Sequence, residues 1–226
     1  MKNLKNNIIV CISIIALVFT GVWKANAQNA EFGLRYMPTF TSFNVKTANG
    51  TTLKTDGKLG FGAGLILGFN FTDHLGLQGE VIYNDISQKY KESDLERNIN
   101  LKYVNIPLLL SLNTGKSNAV NFNVVVGPQI GLSVGSELKT SGGDGTTDAN
   151  AVLSVKKGDL GFAYGAGLDF GLNASRTFRL GLGFRGVYGL FDISNNEKNN
   201  ATDSFYVLDR THIKTYSGYV GCSILF

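Results

Sequence analysis

The sequence predicts an all-β chain: an eight-stranded antiparallel up-and-down β-barrel of the membrane-spanning kind, preceded by a cleaved secretion leader. Three observations predict it. Segments of two-residue apolar alternation recur eight times between residues 30 and 226. The connections between them alternate long and short. The face opposite the apolar one is mostly glycine, in a chain with 28 glycines and only 17% charged residues.

The leader comes first. Lys2 and Lys5 give a basic start, Ile8 to Val22 an apolar stretch, and Ala25-Asn26-Ala27 a small-residue site, which places cleavage before Gln28 and divides the chain into a signal peptide over 1–27 and a barrel domain over 28–226. No other apolar run has the length of a spanning helix, so a polytopic helical membrane protein is excluded. The short apolar core and the good cleavage site favour a leader over an uncleaved anchor. Cys11 lies too early and lacks the context of a lipoprotein site, so lipidation is not expected.

Losing Lys2, Lys5 and Lys24 reduces 21 basic residues to 18 against 17 acidic ones. A near-neutral chain without a Lys/Arg cluster carries no electrostatic footprint for nucleic acid. Cys222 alone survives processing, so neither an intramolecular disulfide nor a cysteine pair for zinc is available.

The strands follow in order, each read from its period of two. In the first, Phe32, Leu34, Tyr36, Pro38 and Phe40 oppose Gly33, Arg35 and Thr39. In the second, Leu59 to Phe71 set Leu and Phe against Gly60, Gly62, Gly64, Gly68 and Asn70. Leu75, Leu77, Val81 and Tyr83 oppose Gly76, Gln78, Glu80 and Asn84 in the third. The fourth, Ile99 to Leu112, starts with Leu101 and Tyr103 opposite Asn100 and Lys102 and then loses alternation over Val104 to Leu110, which predicts a bulge or phase change there. The fifth runs Val120 to Gly135, the sixth Asp159 to Leu172, the seventh Phe178 to Tyr188, and the eighth Thr215 to Phe226. Connections at 42–57, 87–98, 137–156 and 192–210 are long, and those at 72–74, 113–119 and 173–177 are short. Short periplasmic turns and long extracellular loops give this rhythm.

Which face points inward separates a membrane barrel from a soluble one. A soluble barrel would show Lys, Glu and Asp on the face opposite its apolar lining. Glycine there fits a narrow lumen, and the Leu, Phe and Val face then meets lipid. The few charges on the glycine face balance: Glu31, Glu80, Asp159 and Asp169 against Arg35, Lys102, Arg179 and Arg185. Unpaired charges in a narrow lumen would be costly, so these eight are expected to form hydrogen-bonded ion pairs that plug it. A proton or ion path is the functional alternative.

Several motifs have plainer readings. Gly181-Leu182-Gly183-Phe184-Arg185-Gly186 matches the dinucleotide fingerprint in letters, but alternation continues through Tyr188 where a helix should start. Ser141 to Asp148 lacks the spaced carboxylates of a calcium loop and reads as a surface loop. His74 sits in a short turn, and His212 lies near the outer rim with Asp203, Asp209 and Thr211 close in sequence. A hydrolase needs a nucleophile, base and carboxylate in mutual reach, which sequence proximity does not supply. No cofactor, metal or catalytic residue is assigned.

Two segments carry a resemblance. Tyr216, Val220, Cys222, Ile224 and the final Phe226 resemble the assembly signal of bacterial outer-membrane proteins. Tyr103-Val104-Asn105-Ile106-Pro107-Leu108-Leu109-Leu110, after Glu80 to Tyr83, is similar to a pattern of the PorT-like outer-membrane β-barrel family of Bacteroidota. The resemblance implies an eight-stranded barrel in the bacterial outer membrane, in contact with its lipid and handled during biogenesis by the barrel assembly machinery. The family's named member belongs to the type IX secretion machinery. The chain is therefore expected to be a non-enzymatic, plugged barrel whose loops dock an envelope partner. Phe205, Tyr206 and Val207, aromatic and apolar in an Asn-rich loop, are the candidate contact residues. An outer-membrane lipid hydrolase using His212 and a small solute pore are the alternatives.

Overall fold

The computed structural model describes residues 30–42, 45–46, 52–53, 55–57, 59–92, 95–141, 158–190 and 214–226. Eight long strands form the wall: β1 (Ala30–Ser42), β2 (Leu59–Asn70), β3 (Leu75–Glu92), β4 (Leu95–Asn113), β5 (Val120–Ser141), β6 (Gly158–Gly171), β7 (Phe178–Gly189) and β8 (Lys214–Leu225). Each pairs antiparallel with its neighbour in sequence, and β1 pairs with β8 to close the sheet. At the seam Phe226 donates to the Ala30 carbonyl at 2.8 Å and Ala30 donates back at 3.2 Å. Closure leaves no edge within the wall, which the bilayer interior requires. Val45–Lys46 pairs with Thr52–Leu53, and Thr55–Gly57 pairs with the upper part of β3.

The pleat sorts side chains as the alternation predicts. Leu34, Phe40 and Leu59 are 57%, 57% and 60% exposed, in a band of Leu, Phe, Val and Tyr around the whole wall. An apolar surface this extensive belongs in lipid, since soluble monomers rarely expose more than a few hundred Å² in one patch. Tyr36, Tyr83, Phe184, Tyr188 and Tyr216 lie toward the upper, long-loop end of this band, Phe184 stacking on Tyr216 and Tyr188 lying 5.1 Å from the Lys214 ammonium. Rings of aromatics at the membrane interfaces are expected of such barrels.

The connection expected at 87–98 is instead mostly strand. β3 and β4 pair up to Glu92 with Leu95, and β5 follows β4 up to Ser141. These three strands have 18, 19 and 22 residues, against 12 to 14 in the other five, so one side of the barrel stands taller.

The expected bulge within Val104 to Leu110 is also corrected. β4 keeps one pleat, with Leu101, Tyr103, Pro107 and Leu109 inward and Ile106, Leu108, Leu110 and Leu112 outward. The register shift falls between Lys102 and Tyr103, whose partners on β5 are Gly135 and Ser133, so the extra residue is Val134. The loss of alternation in sequence has two causes. Around Leu101 and Tyr103 the strand rises above the lipid band, where apolar side chains are sheltered inside rather than outside. Below, Leu109 joins Val125 and Ala163 in an apolar lumen cluster, with Val187 packed against it. Outward at the upper level the side chains turn polar: Asn100 donates to the Asp85 carboxylate at 2.9 Å and to the Ser87 hydroxyl at 3.1 Å.

Candidate functional site

The lumen holds the polar groups that the strand pattern turns inward, and they collect in two layers. In the middle layer Glu80, on β3, is 2% exposed and receives Arg35 from β1 at 2.6 Å. Arg185 from β7 reaches it with both terminal nitrogens, at 2.9 and 3.3 Å, and Gln78 donates to the same carboxylate. The forked contact is the strong geometry for a guanidinium on a carboxylate. Tyr219 covers the cluster, its ring centre 4.0 Å from the Arg35 guanidinium carbon, a cation–π contact in a desolvated setting.

The lower layer is built by a turn. Residues 114–119 join β4 to β5 at the short-turn end and fold inward, so that Lys116 is buried and its ammonium donates to Glu31 at 2.7 Å and lies 3.4 Å from Asp169. Asn121 and Asn123 also donate to Asp169, at 3.0 and 2.9 Å. Burial alone would lower the lysine pKa; the two carboxylates outweigh it and hold Lys116 above the ordinary lysine value. Arg179, fully buried, clamps the turn from β7 by donating to the carbonyls of Lys116 and Asn118 at 2.9 and 3.1 Å and to that of Asp169 at 3.1 Å. The other short turns brace it: Lys116 donates its backbone N–H to the Asp73 carbonyl, and Arg176 donates to that of Ser117. Gly115 permits the fold with φ of +155°, where an L side chain would also meet Asn118.

Glycine supplies the space these large side chains need. The Tyr219 hydroxyl occupies the room over Gly167 and Gly183, Arg185 crosses toward Gly165, and Glu31 lies against Gly68. A Cβ at any of these positions would press on the side chain opposite. The apolar clusters of Met37, Ile82 and Tyr219 and of Leu109, Val125 and Ala163 also face the lumen.

The structure brings together six of the eight charges singled out in the sequence, in two clusters. Arg35, Glu80 and Arg185 form one cluster, and Glu31, Asp169 and Arg179 share another with Lys116. Asp159 lies six residues up β6 from Gly165, the partner of Arg185 in the register, roughly 20 Å away at about 3.3 Å per residue. Lys102 leaves the lumen: it pairs in register with Asp85 on the outward face above the lipid band. The reason is that β4 carries its apolar residues inward at that height, so the even positions that the sequence suggested for the lumen point out. Lys116 takes its place in the balance of four against four. Nothing in the strand pattern marks Lys116, because it sits in a turn; the Gly115 before it and the Asn-rich strands facing it are the only signals.

Tyr216, Val220, Cys222, Ile224 and Phe226 share the lipid face of β8. The fingerprint-like glycines from Gly181 to Gly186 lie within β7. His74 shares a hydrogen bond of 3.1 Å with the Asn113 carbonyl in the lower turns. Among the described residues no group of three metal-ligating side chains occurs. The leader, residues 142–148, Phe205, Tyr206, Val207 and His212 lie outside the described residues.

Solved structures confirm the architecture. Over 89% of this chain and 100% of the other, it superposes on Neisserial surface protein A with TM-score 0.50 at 13% identity. Over 88% and 97%, it superposes on the outer membrane protein OprG from Pseudomonas aeruginosa with TM-score 0.54 at 16% identity. No curated protein matches the chain in sequence. A family model matches residues 26–195, three-quarters of the chain, and with the closed lipid-facing wall it places the protein in the bacterial outer membrane: the chain belongs to the family of the outer membrane protein beta-barrel domain.

Proposed function

We propose that this protein is a non-enzymatic, non-conducting barrel that anchors its extracellular segments at the cell surface, where they dock an envelope partner. One observation carries the reading: the lumen is crossed by two ion-paired layers, the lower one closed by an inward-folded turn under the Arg179 clamp. Eight strands leave an interior that side chains can fill, and here ion-paired side chains reach into it from opposite walls. With no passage to serve, the wall's work is to hold what stands above it, and its tall side of β3, β4 and β5 extends that surface.

The similarity of Tyr103 to Leu110 to the PorT-like pattern supports an envelope or secretion-associated setting, with Phe205, Tyr206 and Val207 as contact residues. Planar-bilayer recording of the purified protein tests the closed lumen: the expected trace is silent, and a stable large conductance would show a solute pore instead. Deleting residues 194–203 should leave assembly intact, and a barrel that then fails to fold would make the loop a structural part of the wall instead. A changed lipid A profile in a His212→Ala strain would replace this reading with a lipid hydrolase.

A further inference from the structure

We propose that the middle layer of the lumen is a binding site for one small inorganic anion of the halide class, held by Arg35 and Arg185. Two guanidiniums there share one carboxylate, Glu80, so the layer carries one positive charge in excess. The side chains of Arg35, Arg185 and Glu80 are 9%, 3% and 0% exposed, which removes water as the medium that would dissipate that charge. A buried charge without compensation is strongly destabilising.

Compensation from the protein is not at hand. Glu31 and Asp169 are engaged by Lys116 and by Asn121 and Asn123 in the lower layer. Asp159 stands roughly 20 Å up the wall, by the same rise of about 3.3 Å per residue. The Tyr219 ring faces Arg35 with its electron-rich surface but brings no net charge. An independent observation points to a ligand: the Nε atoms of both Arg35 and Arg185 are buried and have no hydrogen-bond partner in the protein. Arg185 has turned both terminal nitrogens to Glu80 and Arg35 one of its two, and the Nε–H of each is left without an acceptor. A compact, weakly hydrated anion meets both demands, supplying the missing negative charge and accepting from Nε–H. Sulfate would bring a second negative charge where the layer lacks one.

The test uses the mature barrel refolded in detergent with sodium bromide and crystallised from it. Anomalous data at the bromine edge should show one peak within hydrogen-bonding distance of Arg35 Nε or Arg185 Nε. In solution, bromide at about a hundred times its dissociation constant should lower the unfolding equilibrium constant about a hundredfold, compared at equal ionic strength with gluconate, which is too large to enter. Arg35→Gln leaves one guanidinium on one carboxylate and should abolish that dependence; Glu80→Gln adds a second uncompensated charge and should strengthen it. Should the Arg35→Gln protein fail to refold, the anomalous map of the unaltered barrel decides alone. A water at the site without anomalous signal, or equal bromide dependence in wild type and Arg35→Gln, overturns the proposal.

Discussion

Replacing Lys116 by Met removes the one cation that the turn delivers to Glu31 and Asp169, while keeping its length and apolar stem. The ammonium is 2.7 Å from one carboxylate and 3.4 Å from the other, and both acids are largely buried. Removing one partner of a buried pair costs about 3–5 kcal/mol, because the remaining charge stays desolvated. Two features of the site move this figure in opposite directions. Asn121 and Asn123 still donate to Asp169, which softens the loss there. Glu31 loses its 2.7 Å partner, and the Arg179 clamp holds the turn in place around it. We therefore expect about 3 kcal/mol, a factor of about 150 in the unfolding equilibrium at about 1.4 kcal/mol per decade. Urea titration of the refolded barrel, followed by the gel shift between folded and heat-denatured forms, measures it. A second substitution supplies the control: Lys116→Met with Glu31→Gln removes both charges and should recover more than half of the loss. Lys102→Met, on the outward face, should cost under about 1 kcal/mol. If Lys116→Met unfolds at the same urea concentration as the Lys102→Met protein, the lower layer is not a tightly closed ion network and the reasoning fails.

Three further outcomes follow from the same geometry. The Lys116 pKa is raised in the folded protein, so its contribution to stability is complete below the unfolded lysine value of 10.5 and declines as pH rises through the higher folded value; the urea midpoint should fall more steeply with alkaline pH in wild type than in Lys116→Met. Gly167→Ala places a methyl against the Tyr219 hydroxyl and the Leu182 carbonyl and should cost about 1–3 kcal/mol in the same titration, with Tyr219→Phe in the Gly167→Ala background restoring part of it. Cys222 is exposed on the lipid face of β8, so a nitroxide attached there in vesicles should be relaxed by oxygen in preference to a water-soluble nickel chelate; the reverse preference would turn the wall inside out.

Much of this architecture is legible from the period of two. Phe32 to Phe40, Leu59 to Phe71 and Phe178 to Tyr188 read as strands with the faces they show in space, because a pleated strand in a one-layer wall has only two environments, lipid and lumen. The pattern fails where a third environment enters. At Leu101 and Tyr103 the strand has left the bilayer, so its apolar residues move inside and Lys102 goes out, although the backbone pleat is unchanged. Residues 87–98 look like a loop because they are polar, yet a strand above the membrane has no need of an apolar outer face. Lys116 was hidden for a different reason: its role depends on a turn folding back into the barrel, a long-range placement that no local spacing encodes. Tyr219 has the right parity, but its reach over Gly183 and Gly167 depends on which residues β7 and β6 set beside it in the register.

The lumen's coupling of bulky and minimal residues also shapes how such a sequence can diverge. On the outer surface, one greasy residue can replace another with little consequence, since lipid tails conform to any of them. Inside, an enlargement at Gly167 or Gly183 is tolerated only once Tyr219 has shrunk, and the two changes sit on different strands. Drift at the rim of the wall is thus free and drift along its axis is concerted. Homologues should consequently preserve the summed volume across each interior tier more faithfully than they preserve the identity of any residue in it.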